Sequence, residues 1–288
     1  MSSIDYLPLL VGCTEIRILE LHTGNSGSLH YVPLGSAPSF LALSYVWGDA
    51  TQVEPFFVDG KSVPISKSLS QALRRVKLAC DGKYYAEIPY VSRAKGSHVR
   101  SEPIFEHELV LIWADAICIN QKDDTEKAYQ ISLMSSIYKR ATRVVVNLAK
   151  YGIGDDPALQ HIGHIFSYIE HSRRDMNRDI HSPEVFRVVP NLVADNPLSI
   201  FKHAWWNRIW TLQEILSARE IVFLCRSKTI KWDALQSVCH ILSDLDGIAA
   251  HHDGKTVLAA AHLIQGGNYV KAKLMQRGLN LDEHSLGL

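Results

Sequence analysis

Asp115, Asn120 and Gln121 follow an apolar, strand-like lead-in, Leu109 to Trp113, and stand just before the start of a helix. In an open parallel sheet, ligands bind where the carboxyl ends of strands meet helix starts, so hydrogen-bonding side chains gathered there can hold a polar ligand. The same residue types also cap helices. A purely local role for the run Trp113-Ala-Asp-Ala-Ile-Cys-Ile-Asn-Gln121 therefore stands beside the binding role, and Asp115 fits either.

A second strand end, Phe40 to Val46, runs into Trp47-Gly48-Asp49-Ala50-Thr51. A third stretch, Phe201 to Glu214, holds Trp205, Trp206 and Trp210 within six residues, with Arg208 among them. Tryptophans can pack a core or stack on a planar ring, and Arg208 can pair with a nearby acid. Thr211-Leu-Gln-Glu214 matches a capping box, in which the glutamate only satisfies the helix start.

Other constellations carry less. The neighbours His251 and His252, with Asp253, cannot point to one centre on a regular helix or strand, so no metal site is expected. Cys118 lies in an Ala-Ile-Cys-Ile run and is expected to be buried and inert. Gly152-Ile-Gly154 lacks the third glycine of a dinucleotide fingerprint.

These groups need a scaffold to hold them. Ile16 to Leu21 reads as a first strand, and a Gly/Ser-rich turn from Thr23 to Ser28 leads to a short strand near His30 to Pro33, forming an opening hairpin. A second hairpin spans Pro55 to Val63, with Asp59-Gly60 as its tight turn. Ser66 or Ser68 can cap a helix whose Leu69, Ala72, Leu73 and Val76 share one face. Asp123 or Asp124 can cap another, with Glu126 in its first turn and Ile131, Met134, Ile137, Tyr138 and Ala141 at helical spacing. Arg143 to Ala149 is a β-branched strand, which makes a βαβ unit with parallel, buried strands. Asp81 to Glu108 reads as a long excursion. Tyr151 to Ser199 reads as a polar insertion with a helix from Pro157 to Ser172. Ile221 to Cys225 and Ile230 to Trp232 are further strands, and Asp233 opens a helix through Ile241.

Composition narrows the function classes. The 288 residues are nearly half apolar, enough for one large domain or a domain with an appendage. Thirty basic residues balance thirty acidic ones, which removes the electrostatic footprint of a nucleic-acid binder. There is no charge block suited to a membrane surface and no apolar run long enough to span a bilayer, and Met1 to Val11 lacks the pattern of a signal peptide. Five widely spaced cysteines, an odd number, suit a reduced, cytoplasmic protein.

Three blocks then carry a resemblance. Leu43-Ser-Tyr-Val-Trp-Gly-Asp49, Trp113 to Gln121 with Glu126-Lys127, Gln130, Met134, Ile137-Tyr138 and Ala141, and Arg208-Ile-Trp-Thr-Leu-Gln-Glu214 resemble the motifs of the fungal heterokaryon incompatibility (HET) domain. The resemblance covers roughly Ile16 to Trp232. It implies a HET domain over residues 1–240, with insertions near 81–108 and 151–199, and a helical C-terminal extension over 241–288. HET domains are in turn similar to TIR domains. The implied fold is α/β: a TIR-like (flavodoxin-like), mainly parallel sheet flanked by helices, with an added N-terminal β-hairpin. In that comparison Leu43 to Asp49 resembles the first strand and its loop, Trp113 to Asp115 the second strand end, and Arg143 to Ala149 the third strand. Trp210 and Glu214 resemble the tryptophan and glutamate that open the next helix.

The family implies non-self recognition and programmed cell death. Some TIR domains cleave NAD between nicotinamide and ribose, so the resemblance points to an NAD hydrolase. Positive charge spreads over the ribose as nicotinamide leaves, and one carboxylate on the ribose hydroxyls can stabilise it. Nicotinamide leaves neutral, so a general acid is not obligatory. The resemblance assigns that carboxylate to Glu214, stacking walls to Trp47 or Trp210, and polar contacts to Asp49, Asp115, Asn120 and Arg208. NAD or a related nucleotide is then substrate, with no bound cofactor and no metal. Self-association on activation and an upstream recognition protein are the expected partners. The alternative is a TIR-like module that signals by assembly without chemistry.

Overall fold

The computed structural model describes residues 4–10, 14–81, 109–148, 203–208, 210–225, 228–232 and 235. These fall into two compact units, one drawn from residues 4–81, 109–148 and 218–229, the other from 203–217 and 230–235. The expected insertions, save Asp81 itself, the helices from Pro157 and Asp233, the C-terminal extension, Gly152-Ile-Gly154 and the His251 group lie outside the described residues.

The first unit is built on a nine-stranded mixed sheet in the order β5-β4-β2-β1-β6-β3-β7-β8-β9. Its strands are β1 (Glu15–Leu21), β2 (Ser26–Pro33), β3 (Leu41–Ser44), β4 (Val53–Val58), β5 (Lys61–Ser66), β6 (Val110–Trp113), β7 (Arg143–Asn147), β8 (Ile221–Cys225) and β9 (Lys228–Lys231). Parallel pairs join β3 to β6, β3 to β7, β7 to β8 and β2 to β4. Antiparallel pairs join β1 to β2, β1 to β6 and β4 to β5.

The parallel strands β3, β6 and β7 are nearly all buried and read as continuous apolar runs, as strands covered on both faces must. The βαβ unit forms with its strands parallel, but β3 lies between β6 and β7. The sheet is more mixed than a mainly parallel one, because the opening hairpin is not an appendage. β1 is buried along almost its whole length and bonds to β6, so it carries the sheet from its parallel half into its antiparallel half. β2 is also longer than expected. Its Gly27 is required, since a Cβ there would meet the Glu20 carbonyl oxygen at 2.3 Å.

Local signals hold in detail. Asp59 (φ 50°) and Gly60 (φ 77°) make the left-handed turn of the β4–β5 hairpin. Ser66 caps α1 (Lys67–Cys80) by accepting from the Leu69 amide, and Leu69, Ala72, Leu73 and Val76 are buried. One turn of helix, α2 (Asp115–Cys118), follows β6. Asp123 caps α3 (Asp124–Ser132), accepting from Thr125 and Glu126. The helix expected to continue to Ala141 instead breaks at Leu133 and resumes as α4 (Met134–Arg140). There the Ser132 hydroxyl donates to the Tyr129 carbonyl (2.7 Å), and the Leu133 amide is shared between the Tyr129 and Gln130 carbonyls, a pattern that bends helices.

Between β6 and α4, Trp113 is fully buried and meets Tyr138 edge-on, ring centroids 5.7 Å apart. In the second unit, α5 (Trp210–Ser217) follows a turn of 3-10 helix, Ala204–Asn207. Among the described residues, no helix is long and apolar enough to cross a membrane.

Candidate functional site

The carboxyl ends of β6, β3 and β7 lie side by side, and each leads to polar groups. β3 ends at buried Ser44 and runs on to Trp47, which is 48% exposed, an unusual state for a tryptophan so close to a core strand. β6 runs on to Asp115, whose Oδ2 accepts the Trp47 indole N–H at 3.0 Å. Two of the three sequence blocks therefore meet through one hydrogen bond.

The local bonds of this turn show what its polar residues do. Asp115 Oδ1 accepts the Ala116 amide (2.8 Å), which starts α2. Gln121 Nε2 donates back to the Asp115 carbonyl (2.9 Å), and Asn120 Oδ1 accepts the Lys122 amide (3.2 Å). Asp49 closes its own turn, accepting from the Thr51 amide and hydroxyl at 2.8 and 2.7 Å, and these bonds hold its carboxyl below the usual range. Asp115, Asn120 and Asp49 thus have structural duties whatever else they touch. Cys118 is buried, and burial pushes its thiol up to about 12, so it stays protonated.

Two groups at this edge escaped the reading of the sequence. Asn147 ends β7 and is 4% exposed, with its Oδ1 accepting from Arg75 of α1 at 3.3 Å. The start of α1 reaches the same edge, where the Ser68 hydroxyl donates to the Val46 carbonyl. An asparagine closing the β-branched run Val144 to Val146 was the available signal for Asn147; nothing local marked Arg75.

The third block lies in the second unit. Trp205 and Trp206 are buried, their rings edge-to-face at 4.9 Å, and pack rather than stack on a ligand. Trp210 is 46% exposed. The capping box does not form, because α5 begins at Trp210 and so contains both Thr211 and Glu214. The Thr211 hydroxyl donates to the Trp205 carbonyl at 2.8 Å. Glu214 is 2% exposed, and its Oε1 lies 3.4 Å from Arg208 Nη2. Nη1 of the same guanidinium is buried with no partner among the described residues. A carboxyl group inside the protein beside an arginine is placed where electrostatic interactions act strongly.

The structure therefore joins Trp47 to Asp115 in one unit and Arg208 to Glu214 in the other. Among the described residues, no group of three His, Cys, Asp or Glu side chains could hold a metal ion.

A model of the heterokaryon incompatibility protein (HET) family matches residues 40–214, from the residue before β3 to Glu214 itself. Heterokaryon incompatibility protein 6, OR allele, of Neurospora crassa is 27% identical, covering 80% of this chain and 36% of that protein. The chain thus spans about a third of that relative's length. No solved structure matches. Since the family match takes in more than half of the chain and runs through all three blocks just described, the chain belongs to the heterokaryon incompatibility (HET) family.

Proposed function

We propose that this chain is an NAD glycohydrolase of non-self recognition and cell death. The observation that carries the reading is the order of the parallel strands. Taken in chain order, β3, β6, β7 and β8 lie 2-1-3-4 across the sheet, all parallel, as in the flavodoxin-like arrangement that TIR domains use. In such sheets the ligand crevice opens at the carboxyl ends, at the switch point between the first and third strands. Here those strands are β3 and β7, whose ends carry Trp47 and Asn147. An exposed indole suits a nucleotide's planar rings.

The resemblance to TIR enzymes assigns the chemical step to Glu214. The bond between ribose C1′ and the nicotinamide nitrogen breaks, its electron pair neutralising the pyridinium. The Glu214 carboxylate stabilises the oxocarbenium-like ribose until water adds at C1′ and releases a proton to solvent. Arg208 Nη2 stands 3.4 Å from that carboxylate. Activation follows self-association, in the cytoplasm, downstream of a recognition protein. The name of the Neurospora relative supports the non-self role.

One observation favours the second reading, a TIR-like module that assembles without chemistry. Asp49, Asp115 and Asn120 are all engaged in local bonds. Incubation of purified protein with NAD, following nicotinamide release, separates the two. Release that Glu214→Gln abolishes establishes the enzyme; no release at high protein concentration, together with concentration-dependent assembly, establishes the module.

A further inference from the structure

Arg17, in the middle of β1, is fully buried, and charged side chains are almost never found in that state unless paired. Its guanidinium makes a two-pronged contact with Glu126 of α3, Nη1 to Oε1 at 2.5 Å and Nη2 to Oε2 at 2.9 Å. Two more of its hydrogens go to backbone carbonyls, and Nε is buried with no hydrogen-bond partner among the described residues. Nη1 also donates to the Cys118 carbonyl (3.2 Å), and Nη2 to the Leu7 carbonyl (2.8 Å). The Tyr6 and Tyr31 rings lie 4.6 and 5.2 Å from the guanidinium carbon.

The partners of these groups fall on one short segment. The Tyr6 hydroxyl donates to the Ile117 carbonyl at 2.8 Å, and burial pushes that hydroxyl's pKa up, so it remains a donor. Glu126 Oε1 accepts the Asn120 amide at 2.8 Å. Ile117, Cys118 and Asn120, three of four successive residues between β6 and α3, are thus each held by a member of one ionic centre. That turn is the one whose Asp115 fixes the Trp47 indole. Desolvating two charges costs about as much as their attraction returns, so such a centre contributes geometry more than stability.

We propose that Arg17, with Tyr6 and Glu126, is a positioning residue that clamps the 115–121 turn and through Asp115 sets the Trp47 ring at the sheet's carboxyl edge. Tyr6 and Leu7 are part of the clamp, since they supply the Tyr6 ring and hydroxyl and the Leu7 carbonyl. The catalytic consequence rests on the nucleotide reading above; the positioning itself does not.

Two full-chain variants test this. Tyr6→Phe keeps the ring over the guanidinium and removes only the hydroxyl, whereas Arg17→Lys keeps the charge and loses the two-pronged contact. Amide hydrogen exchange reports the 117–121 segment. Acrylamide quenching, taken as the difference from the same variant carrying Trp47→Phe, reports the Trp47 ring. Exchange at 117–121 should quicken about tenfold in Tyr6→Phe, the effect of one lost hydrogen bond, and more in Arg17→Lys, with β7 unchanged. Trp47 should become more quenchable in step. With NAD, both variants should raise KM while leaving kcat near the parent value. Exchange and quenching at parent values in Tyr6→Phe, whatever happens to the melting temperature, would overturn the clamp. If the parent releases no nicotinamide, the catalytic reading falls, and exchange and quenching still decide the clamp.

Discussion

The turn after β6 and helix α5 each carry a carboxylate from a motif block, and they engage it in opposite ways. Asp115 is drawn into its surroundings, with one oxygen on the first turn of α2 and the other on the Trp47 indole. Glu214 of α5 is buried, facing a guanidinium with one nitrogen unmatched among the described residues. The first arrangement makes a rigid shelf. The second sets a carboxyl group beside a guanidinium where electrostatic interactions act strongly. A motif block can thus supply shape or electrostatics, and the hydrogen-bond partners tell which.

That contrast can be broken by mutation. The largest effect should come from the anchor of the shelf: Arg17→Met strands Glu126 as an unpaired buried carboxylate and should destabilise the protein by about 3–5 kcal/mol, read by urea unfolding. A loss under ~1 kcal/mol would mean that the shelf does not depend on its ion pair. Next, Glu214→Gln keeps the side-chain shape while removing the charge, and should lower nicotinamide release by about 10²–10³ with the fold retained by circular dichroism. A comparable loss of kcat in Asp115→Asn would erase the distinction between shelf and charge, because the shelf should affect KM.

Smaller again, Trp47→Ala and Trp210→Ala remove exposed rings and should leave stability within about 0.5 kcal/mol. Trp47→Ala should weaken NAD binding by roughly 1–3 kcal/mol in calorimetry, the worth of a stacked base. The least effect belongs to Asp49. Its folded carboxyl lies below the usual value, so the stability it contributes is present above about pH 4 and lost as the pH falls through the lowered value. Thr51→Val removes the hydroxyl donor and should move the Asp49 titration, followed by NMR, back toward that usual value.

The legibility of the chain followed the range of the interactions. Ser66, Asp123 and the Asp59-Gly60 turn were readable because a cap or a turn is settled by residues one to three positions away. Reading α3 and α4 as one helix failed because periodicity continues through Leu133 while a serine bond bends the backbone there. The capping box at Thr211 failed for a related reason: the pattern is local, but the helix starts earlier and Thr211 bonds back to Trp205.

Residue types and spacing alone determined most of the strands, the caps of α1 and α3, the three motif blocks and, through them, the family. Tertiary structure alone decided that β3 lies between β6 and β7, that the opening hairpin is interior to the sheet, and that Arg17 meets Glu126 across 109 positions of chain. The reason is physical. Propensity and capping act over a few residues, whereas strand order and the burial of an ion pair are settled by which distant surfaces exclude water together.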